Sequence, residues 1–222
     1  MMAIIGVILM VFPLLGFMRD NKEKIMSKFL EQFNENLTRV KSLYALYDKE
    51  NNKKLQGIYS TDILRACIVF LHSAFEDYFR AVLFNYMCDK EYQHLLKGVS
   101  FANLRNVEKI DLQKLAEYRV ESVEDIIIMS VKEFLDKTSF NNYEQIVSWC
   151  DKIKVDLTSF NDPQKINEVI QRRHKIVHEA DLTVRDAKKS LTTIQANWVQ
   201  DKIEKVVFLV KIIDSQIKEL YV

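Results

Sequence analysis

Asp162 to Leu182 reads DPQKINEVIQRRHKIVHEADL. Asp162-Pro163 is a helix start. Asp serves as N-cap, and Pro takes the first helical position, where its missing N–H costs nothing. At 100° per residue, Ile166, Val169, Ile170, Ile176, Val177 and Ala180 fall within about 60° of one direction. That is the apolar stripe of an amphipathic helix, and Arg173 stands in the middle of it. A guanidinium on such a stripe needs paired acceptors or a cavity. His174 lies about 100° round from Arg173 and His178 about 140°, so the two histidines are i, i+4 neighbours.

The same periodicity extends outward in both directions. Downstream, Val199, Ile203, Val206, Val210, Ile213, Ile217 and Leu220 repeat at alternating spacings of four and three. Between Val206 and Ile213 the sole polar residue is Lys211, which marks this last helix as central or paired with a partner. Upstream, Ile25, Phe29, Phe33, Leu37, Val40, Tyr44 and Tyr47 form one stripe, broken by the polar stretch from Asp48 to Gly57. A second helix is expected to open near Ser60, with Asp62 in its first turn and a stripe of Leu64, Cys67, Leu71, Phe75, Tyr78, Val82 and Tyr86. Leu104, Val107, Leu112 and Leu115 suggest short helices after Gly98. Ser122 with Asp125 predicts a capping box and a helix to about Lys137, and Asn142 with Gln145 another through Cys150.

Composition agrees. The chain has 4 Gly and 2 Pro in 222 residues, where average usage gives about 15 and about 11. The glycine-rich phosphate loops of dinucleotide-binding and P-loop folds are absent, as are the turn residues of an all-β sandwich. The expected fold is all-α: a single helical bundle of about five to seven helices with a long C-terminal helix. Thirty-two Lys and Arg against 31 Asp and Glu leave a net charge of +1. Wholesale phosphate binding over the surface is excluded, while a local basic site is allowed. Cys67, Cys88 and Cys150 are odd in number and widely spaced, so they read as buried thiols and not as a disulfide framework or zinc pattern.

Residues 1–18, MMAIIGVILMVFPLLGFM, carry no charge and are followed at once by Arg19, Asp20, Lys22, Glu23 and Lys24. Eighteen helical residues reach about 27 Å, enough to span a bilayer. Arg19, Lys22 and Lys24 would then place the body in the cytoplasm. A signal peptide fits less well, with no basic n-region and a poor cleavage site at Leu15-Gly16-Phe17; the other favoured reading is a mis-assigned start, with translation beginning at Met18. Both favoured readings leave residues 19–222 as one cytoplasmic helical domain, anchored to the membrane in the first.

Arg173 to His178, R-H-K-I-V-H, resembles the R-x(4–6)-H motif of the HEPN superfamily of helical ribonucleases and nucleotide-binding proteins. The fuller string RRHKIVHEAD is similar to the subgroup found in prokaryotic toxins and antiviral defence systems. Ala66 to Leu83, ACIVFLHSAFEDYFRAVL, resembles the family helix that carries an acidic residue. The resemblance covers the body from about Asn21 to the C-terminus. One departure is that many relatives carry Asn after the motif Arg, where this chain has His174.

The resemblance implies metal-independent cleavage of RNA by attack of the 2′-OH, in a toxin–antitoxin or antiviral defence setting and with no cofactor. His178 would exchange protons as general acid or base. Arg173 would hold the scissile phosphate and stabilise its developing charge. His174 is the candidate second proton-transfer group, or a phosphate positioner. Glu76, with Asp77 beside it, is the candidate acidic partner; Arg172 and Lys175 are the candidate RNA contacts. The 140° divergence of Arg173 and His178 requires a long reach, a loosened helix, or a second subunit. The family's usual answer is a homodimer with two motifs face to face. An antitoxin or sensor protein is a further implied partner.

Plainer readings stand beside these. Arg173 can be a structural Arg paired with a core carboxylate such as Glu76, and the domain a catalytically inactive module that binds a partner protein or a nucleotide. His174 and His178 have metal-ligand spacing but lack the Glu of H-E-x-x-H and a nearby third ligand. His72 and His94 read as ordinary helix or loop residues. Arg185, Lys188 and Lys189 form a basic cluster diluted by Asp181 and Asp186, which reads as solvated surface.

Overall fold

A computed structural model describes residues 26–47, 58–100, 122–185 and 188–220. The apolar leader and the short helices expected between Leu104 and Leu115 lie outside the described residues. Helix α1 covers residues 26–47 and α2 Ile58–Met87, followed by a 3-10 turn at Lys90–Leu96. Next come α3 (Val123–Lys137), α4 (Tyr143–Lys152) and α5 (Pro163–Glu179). Strands β1 (Leu182–Arg185) and β2 (Lys188–Leu191) precede α6 (Ala196–Leu220). Among the described residues no helix is long and apolar enough to cross a membrane.

The caps show how local sequence sets these boundaries. Ser122 Oγ accepts from the Asp125 N–H while the Asp125 carboxylate accepts from the Ser122 N–H, the reciprocal box that opens α3. Asn142 Oδ1 accepts from the Gln145 N–H at α4, but Gln145 Oε1 reaches back one residue further, to the Asn141 N–H. Pro163 does start α5. Asp162 makes no side-chain cap bond, because its carboxylate is drawn 2.8 Å from Lys205 Nζ on α6. Helix α2 begins at Ile58, so Ser60 sits inside the first turn and does not cap it.

α2 is the axle of the bundle. Its 30 residues span about 45 Å, and Leu64, Ile68, Leu71, Phe79, Leu83 and Tyr86 are wholly buried. Phe33 of α1 tilts onto Tyr78, and Tyr44 of α1 donates to the Ala196 carbonyl at the start of α6. α6 is likewise central: Val199, Val206, Leu209, Val210 and Ile213 are buried within this chain. The expected stripe is therefore core, and Phe208, 47% exposed, is the apolar side chain of that run left outside. Burial pushes the Cys67 thiol up to about 11 and Cys150 further still, as inert core thiols behave.

A two-stranded antiparallel hairpin is an addition that helical periodicity did not announce. It pairs Leu182 with Leu191 and Arg185 with Lys188, so the basic cluster Arg185, Lys188, Lys189 lies on its strands. It hangs from a sharp reversal at the end of α5, where Ala180 (φ 51°) and Asp181 (φ 56°) are both left-handed. Two such non-glycine residues cost about 1–2 kcal/mol each. The reversal is held by Asp181, which is wholly buried. Its Oδ2 lies 2.6 Å from Arg65 Nε of α2 and 2.8 Å from Arg172 Nη2 of α5. Its carbonyl accepts from the Thr192 N–H, and the Thr192 carbonyl accepts from both arginines.

Removing one partner from a buried ion cluster strands the others without a counter-charge. Asp181→Asn, which tolerates the left-handed backbone, is expected to cost about 3–5 kcal/mol in urea unfolding.

Candidate functional site

A cleft of about 520 Å³ opens between α2, α5 and the segment joining α3 to α4. That is the size range of small-ligand sites. Three local devices shape it. Arg80 Nη2 donates to the Thr138 carbonyl at 2.9 Å, tying the 138–142 segment to α2. Phe140 from that segment drives its ring edge-on into Phe79, with centroids 5.0 Å apart, and closes the floor. The α5 stripe meets the core through Ile166, Val169 and Ile170; beyond them Ile176 packs on the core's margin and Val177 lies outside it. Ile176 is half-buried and Val177 is 48% exposed. Arg173 stands at this changeover, which is why a guanidinium fits on an apolar stripe.

Arg173 lines the cleft and is half-buried. Its Nε is shielded from solvent with no hydrogen-bond partner among the described residues. A buried donor without an acceptor is costly; Arg80 and Arg172 share that feature at Nε, and what sets Arg173 apart is its place on the cleft wall. Glu76 of α2 lines the same cleft and does not form a close ion pair with Arg173. Its carboxylate is 3.3 Å from Arg80 Nη2 and 3.4 Å from His72 Nδ1. Burial pushes the Glu76 carboxyl up. The His72 ring, Arg80 and Arg173 together outweigh that and hold it below its ordinary value. The structural pairing of Arg173 with Glu76 thus reduces to an attraction across the cleft.

The remaining expected residues divide. His174 lines the cleft and is exposed. His178 is exposed and does not line the cleft; its ring centroid lies 4.6 Å from that of His174, as one helical turn dictates. The geometry therefore brings Arg173, His174 and Glu76 together and leaves His178 at the rim. Lys175 borders the cleft, with its ammonium 2.8 Å from Thr183 Oγ1 on β1. Arg172 does not border it: Nη2 serves Asp181 and the Thr192 and Thr193 carbonyls. Its place is in the buried clamp, where its charge balances Asp181. Asp77 faces a separate groove over α1 and α2.

His72 is the residue that reading by motif passed over. It is 4% exposed, yet it is among the residues that line the cleft. The available signal was H-S-A-F-E, a His four residues before the candidate Glu on one helix face. Among the described residues no three His, Cys, Asp or Glu side chains gather as a metal site requires.

A family model described as RiboL-PSP-HEPN matches residues 34–219, the whole of the bundle from mid-α1 to the end of α6. No curated protein and no solved structure matches the chain.

The depressed Glu76 carboxyl has a signed consequence. A carboxylate stabilised in the folded state contributes stability above its unfolded value and loses it as pH falls through the folded one. The difference in unfolding free energy between wild type and Glu76→Gln is expected to be full above about pH 4.5 and to shrink below it. Urea titrations at stepped pH measure this, and a difference that grows on acidification contradicts it.

Proposed function

The chain belongs to the RiboL-PSP-HEPN family, and on that premise we propose that it is a metal-independent endoribonuclease. Its setting is a toxin–antitoxin or antiviral defence system. One observation carries the reading: Arg173, with no carboxylate at ion-pair distance among the described residues, stands on the wall of a cleft that also holds His174 and Glu76.

The chemistry follows from the residue types. Arg173 receives the scissile phosphate, its fork of N–H donors matching two phosphate oxygens. As the 2′-oxygen attacks phosphorus, charge grows on those oxygens and the guanidinium stabilises it. The bond to the 5′-oxygen breaks, leaving a 2′,3′-cyclic phosphate and a 5′-hydroxyl. His178, the other half of the catalytic pair, works from the rim beside His174, which relays or positions. Glu76 keeps Arg173 oriented without neutralising it at contact distance. A homodimer lets the rim His178 of one subunit serve the cleft of the other. The exposed Val177 next to it gives that face apolar character.

A second reading is favoured by the same rim position: a HEPN-like module that binds a nucleotide or protein and cuts nothing. Incubation with structured and single-stranded RNA in excess EDTA separates the two. Wild type is expected to leave cyclic phosphate ends. Arg173→Ala is expected to lose about 10²–10³ in kcat and His178→Ala about 10²–10⁴. Cleavage that survives both substitutions removes the assigned pair. Cleavage abolished by EDTA brings back a metal. No cleavage of any RNA favours the binding module. In light scattering the active species is expected at twice the chain mass of 26.2 kDa, and a cleaving monomer rules out the shared cleft.

A further inference from the structure

Cleavage by 2′-OH attack moves two protons: one leaves the 2′-hydroxyl and one arrives at the 5′-oxygen. His174 and His178 are adjacent on one helix and form one proton-handling post at the mouth of the cleft. A further imidazole, that of His72, belongs to the α2 wall of the same cleft and can serve as a second post.

We propose that His72, whose Nδ1 lies 3.4 Å from Glu76 Oε2, is that second post: the base that takes the 2′-hydroxyl proton. The proposal rests on the ribonuclease reading of the cleft. An imidazole that is 4% exposed on the central helix is expensive in a stripe otherwise made of Leu71, Phe75, Tyr78 and Phe79. It makes no hydrogen bond at Nδ1 among the described residues, and its one near charge is Glu76 Oε2 at 3.4 Å. A carboxylate beside Nδ1 favours the tautomer with the proton there, which leaves Nε2 with a lone pair. That is the state a base requires. The charged and titratable groups facing His72 are Glu76 and Arg80 on α2, and Arg173, His174, Lys175 and Glu179 on α5. From the 138–142 segment come Ser139, Phe140 and Asn141, none of which ionises at neutral pH.

The proton balance closes. The 2′-O–H proton moves to His72 Nε2 as the 2′-oxygen bonds to phosphorus. The bond to the 5′-oxygen breaks, and that oxygen takes a proton from the protonated imidazole at the His174/His178 post. Solvent then deprotonates His72 and reprotonates the post. No oxidant, reductant or further reactant enters.

The test compares RNA with its analogue bearing a bridging sulfur at the 5′ position, whose leaving group needs no acid. His72→Asn places an amide N–H near the Nδ1 position, leaves a polar group facing Glu76 and removes the base. It is expected to lower kcat by about 10²–10⁴ on both substrates with KM unchanged. His178→Ala is expected to be slow on RNA and largely restored on the sulfur substrate. His72→Asn at wild-type rate overturns the proposal, since a structural imidazole is replaced by the amide. So does restoration of His72→Asn by the sulfur substrate, which makes His72 the acid.

A measurement independent of how that variant folds uses the His174→Ala/His178→Ala protein on the sulfur substrate. Its rate should still rise with pH through one ionisation. Loss of that limb assigns the base to His174 or His178 and overturns the proposal. Wild type that cleaves neither substrate overturns this proposal and the ribonuclease reading together. Cleavage by wild type with an unaffected His72→Asn overturns this one alone.

Discussion

Asp181 carries one negative charge in a space closed to water and shares it between Arg65 and Arg172. Such a cluster gains little over an apolar replacement, but breaking it leaves buried charge uncompensated. Its value here is positional. It joins α2 to the end of α5, fixes two left-handed residues, and pins the return strand through the Thr192 carbonyl. The angle at which α5 lies on α2 is set at this end by the clamp and at the other by Ile166, Val169 and Ile170 in the core. The cleft opens beside this contact, lined by α2, α5 and the 138–142 segment.

The two neighbouring arginines of R-R-H are therefore assigned opposite tasks by one step of 100° along the helix. Arg172 turns toward Asp181 and becomes part of the frame. Arg173 turns toward the cleft and keeps its guanidinium without a carboxylate at ion-pair distance among the described residues. Glu76 is restrained from pairing with it by Arg80 and His72, which hold its two oxygens. Arg80 also anchors the opposite wall through the Thr138 carbonyl. One set of contacts thus positions the acid, frees the arginine and closes the cleft.

A second ionic layer supports α5 from behind. Lys202 of α6 is wholly buried, 2.6 Å from Glu168 and 2.9 Å from Asp201, with its ammonium over the Trp198 ring. Lys165 reaches the same Asp201. These contacts bind the polar flank of α5 to α6, so the helix bearing Arg173 and His174 is held on both sides. A site gains precision when the helix that bears its side chains is held rigidly.

The helical fold was legible because it rests on local rules. Scarce Gly and Pro, the 3-4 spacing of apolar residues, and the Ser122 and Asn142 caps act within a few residues of themselves, so sequence order determines them. The Arg173-to-His178 spacing and the family it points to were legible for the same reason. What the fold decided depends on partners far apart in the chain. Asp181 read as a surface charge and is the buried clamp, because Arg65 lies 116 residues away. Arg172 read as an RNA contact and is drawn inward by that same carboxylate. His72 read as an ordinary helix residue and lines the cleft, because α5 and the 138–142 segment close over α2. The hairpin formed without helical periodicity, because the left-handed turn that launches it is paid for by tertiary ion pairs. Local propensity is written in neighbours; burial of charge is settled only when distant segments remove the water.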